Sequence, residues 1–177
     1  MLEGLGAAGT MQGIESALGG RLAGTELPRN KRPHSMQTVK DVLEHKGREV
    51  LTIDPDATVF EAIGAMAGRD IGALVVMEGA RLVGLMTERE YARQVALAGR
   101  TSRDTRVRDV MLSDPPTITP DQEIGPAMRM MTDRRVRHLP VVEGPELVGL
   151  VSIGDIVAAI IGQQKTVIEH LEHYIAG

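Results

Sequence analysis

A shift of 65 positions lays this 177-residue chain on itself. Thr52-Ile53-Asp54-Pro55-Asp56 falls on Thr117-Ile118-Thr119-Pro120-Asp121, and Val59, Ala62, Ile63 and Met66 fall on Ile124, Ala127, Met128 and Met131. Leu74, Val76, Glu78, Gly79 and Leu82-Val83-Gly84-Leu85 fall on Leu139, Val141, Glu143, Gly144 and Leu147-Val148-Gly149-Leu150. Upstream, Val39-Lys40-Asp41-Val42 matches Val107-Arg108-Asp109-Val110 at a shift of 68, so the first copy carries a three-residue insertion near His45–Arg48. A duplication of this kind fixes the architecture more tightly than any single motif. One copy is too small to bury its own faces, and two packed together make one core.

Each copy predicts the same local order. A short strand (Val50–Ile53; Thr117–Thr119) stops at Pro55 or Pro120, which suit the first position of a helix capped by Asp54 or Thr119. The apolar positions 59, 62, 63, 66 and 124, 127, 128, 131 follow the i, i+3, i+4, i+7 stripe of a helix buried on one side. Ala73–Met77 and Leu82–Met86 flank the turn residues Glu78-Gly79-Ala80, and Leu139–Val142 and Leu147–Val151 flank Glu143-Gly144-Pro145, so each pair reads as a hairpin. A second helix follows over Arg89–Leu97 or Ile153–Ile161. The expected class is α+β, a tandem β-α-β-β-α repeat with pseudo-two-fold symmetry. Its parts are a leader or extension over 1–35, repeats over 36–98 and 107–162, a linker over 99–106 and an amphipathic helix over 163–177.

Composition removes several function classes. Aromatics number three (Phe60, Tyr91, Tyr174) and Trp is absent, which leaves no stacking platform for single-stranded nucleic acid. The formal charge of −4 gives no general attraction to phosphate backbones or acidic membranes. No run approaches the ~20 apolar residues of a membrane span. The chain has no cysteine, which rules out disulfides, thiolate metal sites and a cysteine nucleophile and fits a reducing, cytoplasmic setting. Residues 1–35 are Gly-rich, broken by Pro28 and Pro33 and closed by a basic run, without the charged start and apolar run of a secretory signal; they read as a loose extension.

The segment Gly149-Leu150-Val151-Ser152-Ile153-Gly154-Asp155, preceded by His138-Leu139-Pro140-Val141-Val142 and by the opening Val107–Met111, resembles the closing and entry motifs of the CBS domain family. With its first copy it resembles small proteins made of one CBS pair. Such pairs hold adenosine-containing ligands in clefts between the repeats. The resemblance implies AMP, ADP or ATP as ligand, with NAD(H) or S-adenosylmethionine as alternatives. It implies that Asp155 takes the ribose hydroxyls and that Ser152 lies near phosphate. One cleft would combine Ser152, Ile153, Gly154 and Asp155 with Ala57, Ala62, Ile71 and Gly72; the other would combine Thr87, Glu88, Arg89 and Glu90 with Arg137 and His138. A homodimer and a regulated partner protein are further expectations of the resemblance.

Each of these residues also has a plain structural reading. Thr87-Glu88-Arg89-Glu90 is a capping box, which accounts for Glu90 without a ligand. That copy also has Glu where the family has Asp. Ser152-x-x-Asp155 fits a box less well because Asp is short, so a ribose role for Asp155 is expected. Arg134 and Arg135 suit a helix C-terminus, whereas Arg137 and His138 enter an apolar strand and point to phosphate. His170 and His173, with Glu169 and Glu172, lie at helical spacing and read as a wet helix face, not a metal site. The stripe Val167, Ile168, Leu171, Tyr174, Ile175 should pack on the module or on a second subunit. No nucleophile–base set or phosphate loop stands out. The expectation is a regulatory nucleotide-binding module without catalysis, with a ligand-independent dimerising scaffold as the alternative.

Overall fold

A computed structural model describes Thr38–Ala176; the leader lies outside the described residues. The chain runs α1 (Val39–Lys46), β1 (Thr52–Ile53), α2 (Val59–Arg69), β2 (Ala73–Glu78), β3 (Arg81–Thr87), and a short α3 (Glu88–Glu90) that continues as a π-helical segment, Tyr91–Ala96. After a 3₁₀ turn (Val107–Asp109) come β4 (Leu112–Ser113), α4 (Ile124–Arg134), β5 (His138–Glu143), β6 (Glu146–Ser152) and α5 (Ile153–Ala176). The first sheet has the order β1-β2-β3-β4, with β1 parallel to β2 and the other pairs antiparallel; β5 and β6 form the second. The α+β class and the duplicated order are those expected. Both hairpins carry the same irregularity, between Val76 and Met77 and between Val141 and Val142, and turn at Gly79 and Gly144 with φ of 61° and 59°. That hairpin geometry favours glycine at the first loop position.

Several local expectations are corrected. Thr117–Thr119 is not a strand: Ile118 makes only a single parallel bridge to Val141. The helices begin four residues later than Pro55 and Pro120 suggest. Asp54 accepts from the Asp56 and Ala57 amides and closes a turn instead of capping a helix. Helix α2 is capped by Thr58, whose hydroxyl accepts from the Glu61 amide at 3.2 Å while the Glu61 carboxylate accepts from the Thr58 amide at 2.7 Å. Its counterpart α4 starts behind Glu123 with no side-chain cap, because Pro126 at the third helical position has no N–H to offer. The helix expected over Ile153–Ile161 and the separate one expected over 163–177 are one element, α5, of 24 residues.

The segments ahead of each repeat exchange places. Val39, Val42 and Leu43 of α1 join the core of the second repeat with Ile118, Ile124, Ala127, Met131, Leu139 and Val151. Val107 and Val110 join that of the first, with Val59, Ala62, Met66, Leu74 and Met86. Backbone bonds follow the same symmetry: Val39 N–H donates to Gln122 O and Lys40 N–H to Pro120 O, while Val107 N–H donates to Ala57 O and Arg108 N–H to Pro55 O, all at 2.8–3.0 Å. Even the packing repeats. Leu43 sits on Gly149 and Met111 on Gly84, so close that a Cβ would meet Leu43 Cδ1 at 2.6 Å and Met111 Sδ at 2.3 Å. Each opening segment covers the sheet of the other copy, where glycine leaves room for it.

A third apolar layer joins the copies. Ala73, Val75 and Leu85 of the first sheet pack with Leu112 and, from β6, Leu147 and Leu150. Strands β2 and β5 are therefore buried on both faces, which is why they read as unbroken apolar runs rather than as alternation. The ends of β3 and β6, with the helices that follow them, meet at this layer and open two clefts.

Candidate functional site

The larger cleft has a volume of about 500 Å³ and lies where the end of α1, the segment that leads to β1, and the end of α2 with the start of β2 face β5, β6 and the first turn of α5. Ile71, Gly72, His138, Leu150, Ser152 and Asp155 line it, with Lys46, Glu49, Arg69 and Asp70 at its charged rim. Gly72 lines both this cleft and the next, and the nearest atoms to a Cβ there would be Glu88 Oε2 at 3.4 Å, Glu88 Cδ at 3.8 Å and His138 Cε1 at 3.9 Å, ordinary contacts. Asp70, the C-cap of α2, is left-handed with φ 52°, which tips its backbone into the rim.

Asp155 is the most constrained charge in the cleft. Its Oδ2 accepts from the Ser152 amide at 2.7 Å, the Ser152 hydroxyl at 2.8 Å and Lys46 Nζ at 2.7 Å, and Ser152 Oγ accepts from the Asp155 amide at 3.1 Å. The expectation that aspartate is too short for a capping box here is corrected. Its short arm reaches the cap at the start of α5, as Asp41 does to Thr38 in α1. Among the described residues Oδ1 accepts no hydrogen bond. Burial pushes the Asp155 carboxyl up, but the hydrogen bonds from Lys46 and Ser152 and the Lys46 charge hold it below the ordinary carboxylate value. His138 is pushed the other way for a base. Burial lowers its pKa, Asp155 and Glu88 oppose that, and Lys46 and Arg137 add to it, so the imidazole is neutral at pH 7.

The second cleft is much smaller, about 120 Å³, and gathers Thr87, Glu88, Arg89, Glu90, Arg137 and His138 with Arg135. The symmetry explains the difference in size: at a shift of 65, Gly72 becomes Arg137, a long side chain where the other cleft has none. Here the expected capping box is half formed. Thr87 Oγ1 accepts from the Glu90 amide at 3.4 Å and donates to the Glu90 carboxylate, which does not reach the Thr87 amide. Three residues of α-helix precede the π turn, so the first turn lacks the regular geometry a box requires.

Of the first group of sequence-derived site residues, Ser152, Asp155, Ile71 and Gly72 line one cleft together. Ala62 does not: it is wholly buried in the first repeat's core, and Ala57 packs against that core with its N–H and C=O both bonded to backbone. Their small side chains belong to the packing of the first repeat's core. Ile153 turns away into a third depression beside Arg89 and Arg135, its N–H held by Arg137 O at 2.9 Å. Gly154 lines none of the three. All six residues of the second group line the second cleft. Lys46 was missed, although it belongs to the insertion that distinguishes the first copy. Among the described residues no group of three or more His, Cys, Asp or Glu side chains could hold a metal, and no helix is long and apolar enough to cross a membrane.

This geometry has known counterparts. The CBS domain family model matches residues 39–96 and 107–162. The CBS domain-containing protein CBSX3, mitochondrial, of Arabidopsis thaliana is 38% identical over 149 residues, 79% of this chain and 72% of its own length. The solved structure of a CBS-domain protein from Burkholderia ambifaria is 42% identical with a TM-score of 0.70, covering 72% of this chain and 96% of that one. The CBS domain pair of protein MJ0100, solved with 5′-methylthioadenosine and S-adenosyl-L-methionine, shares the fold at a TM-score of 0.64 and 23% identity, covering 73% of this chain and 99% of that one. With a matching motif set in each half, crossed opening segments and two clefts between the copies, the chain belongs to the CBS domain family as a tandem pair of repeats.

Proposed function

We propose that this chain is a regulatory module that takes an adenosine-bearing ligand, AMP, ADP, ATP or NAD(H), in the Asp155 cleft. What carries the reading is a carboxylate with one oxygen unbonded at the wall of a cleft large enough for a nucleotide. One vicinal ribose hydroxyl donates to that oxygen and the other competes at Oδ2, and Ile71 and Gly72 bound a slot for the base. The bound ligands of the MJ0100 pair support the adenosine class. The ligand bridges both copies, so it favours the conformation in which both halves of its site are in contact, and a partner protein reads that shift. No chemistry is assigned to the chain, and mass spectrometry of nucleotide incubated with it should return the nucleotide unaltered. A cytoplasmic location is tested by cell fractionation, since the plant relative is named as mitochondrial.

Calorimetric titration with AMP, ADP, ATP, NADH and S-adenosylmethionine tests the ligand class. A ligand at 100-fold above its Kd raises stability by about 2.7 kcal/mol, which a thermal melt resolves. Asp155→Ala should abolish the heat of binding; no heat with any of the five in the wild type refutes the proposal. The scaffold reading draws on one observation. Val157, Ile161, Ile168 and Ile175 are exposed on α5 at spacings of four and seven, which is a coiled-coil seam. A dimer by sedimentation that ignores every nucleotide would favour it.

A further inference from the structure

The proposed ribose acceptor is already engaged. Lys46 Nζ lies 2.7 Å from Asp155 Oδ2, and both side chains are mostly buried, 31% and 24% exposed. The lysine comes from the last position of α1, just before Gly47 (φ 96°) turns the chain along the cleft rim. It stands in the insertion found only in the first copy. The corresponding stretch of the second copy, Met111-Leu112-Ser113-Asp114-Pro115-Pro116, has no basic residue. The contact is therefore one-sided, built into one cleft and absent from its pseudo-symmetric partner.

Two consequences follow from the charges around it. A ligand with two vicinal hydroxyls takes the free Oδ1 with one and meets Lys46 at Oδ2 with the other, and releasing the ammonium inside a half-buried cleft is costly unless it finds another anion. Of the other lining acids, Glu49 is already paired with Arg69 at 3.7 Å. The cleft is lined by three acids (Glu49, Asp70, Asp155) and two cations (Lys46, Arg69), together with His138. Without Lys46 the cleft would repel a phosphate. With it, an ammonium stands at the cleft wall beside Asp155, on a flexible stem that can turn from carboxylate to phosphate.

We propose that Lys46 is a built-in competitor for the ribose carboxylate which makes the Asp155 cleft select phosphorylated adenosine over uncharged nucleosides. Adenosine or methylthioadenosine has to displace the ammonium and leaves it unpaired; AMP displaces it and pairs it again. This rests on the adenosine reading of the cleft above and adds the phosphate requirement to it.

The test is calorimetric titration of the full chain with AMP and with adenosine, in the wild type, Lys46→Met and Lys46→Arg. The wild type should bind AMP at least about tenfold tighter than adenosine, as expected for a charge-assisted contact present with only one of them. Lys46→Met should bind adenosine tighter than the wild type does and should bring the AMP-to-adenosine ratio to about one or below. Lys46→Arg should keep the preference. Uptake of both compounds with the same ratio in wild type and Lys46→Met overturns the role of Lys46 and leaves the adenosine reading intact. Uptake of neither compound by any of the three proteins overturns that reading and this inference with it.

Discussion

Replacing Gly149 by alanine tests the crossed opening segments directly. The backbone at Gly149 is not left-handed, so a methyl group is allowed locally, and on chain entropy alone Gly→Ala should stabilise by about 0.4–1 kcal/mol. The new Cβ would lie 2.6 and 2.7 Å from the two methyl carbons of Leu43, closer than carbon atoms can stand. Leu43 is 0% exposed and wedged among Val39, Ile118 and Leu139, so it cannot swing out. Overpacking of this kind costs about 1–3 kcal/mol, a fall in melting temperature of about 2–4 °C per kcal/mol for a chain of this size. Leu43→Ala alone leaves a cavity and costs about 2–5 kcal/mol. In that background the methyl at 149 enters vacated space, and its penalty should vanish or reverse. Urea unfolding of the wild type, both single variants and the double variant gives the coupling, which should exceed about 0.5 kcal/mol for residues in direct contact. Strictly additive losses would mean that α1 does not rest on β6 and would refute the exchange of segments.

Asp155→Ala should destabilise the unliganded protein by about 1–3 kcal/mol at neutral pH, since it removes the N3 carboxylate of the capping box and leaves Lys46 without its partner. Because the folded carboxyl titrates below its ordinary value, that contribution is full above about pH 4 and lost as the pH falls through the folded pKa; a gap between variant and wild type that is the same at pH 7 and pH 3 would contradict it. The Hε1 resonance of His138 should titrate below the ordinary 6.5, since burial, reinforced by Lys46 and Arg137, outweighs Asp155 and Glu88. The sign follows: above 6.5 both states are neutral, and below it the unfolded chain takes up the proton first, so this histidine lowers stability on acidification and His138→Gln should remove that slope. Gly72→Ala meets only contacts of 3.4 Å and longer and should leave the melting temperature within about 2 °C. Gly72→Leu should fill the opening between the clefts and weaken AMP binding by more than about tenfold in titration.

The repeat made the hairpins readable nearly to the residue, since their apolar runs end at glycine turns that the duplication prints twice. The helix starts were harder. Pro55 and Pro120 are strong local signals, but the chain uses them in turns, and the capping box Thr58–Glu61 three residues on sets the boundary instead. The second copy lost that box to Pro126, which no comparison of the two copies as strings of apolar residues exposes. The exchange of opening segments was not legible at all: Val39 and Val107 align perfectly well with their own copies, and only three-dimensional packing reveals which sheet each one covers. At the site, the cleft residues that follow strands were found from motif position, because a strand end and a helix start meet there by construction. Ala57 and Ala62 were misplaced for the opposite reason, since a small residue fills a tight place in the core as readily as it makes room for a ligand. Lys46 was hidden because its partner is 109 residues away and its own helix, with one narrow apolar edge, carries little periodic signal.

Helix α5 gives any event at Asp155 a long arm. Its first turn forms one wall of the cleft, and its 24 residues extend for about 36 Å at 1.5 Å per residue. A rod that is pinned at one end converts rotation into travel: a tilt of about ten degrees at the cap displaces the far tip by about 6 Å over that length. Exposed Ile168, Tyr174 and Ile175 stand in the far half of this helix. A tilt of that size, set off at the proposed ligand site, would arrive at the other end as a step wider than a side chain.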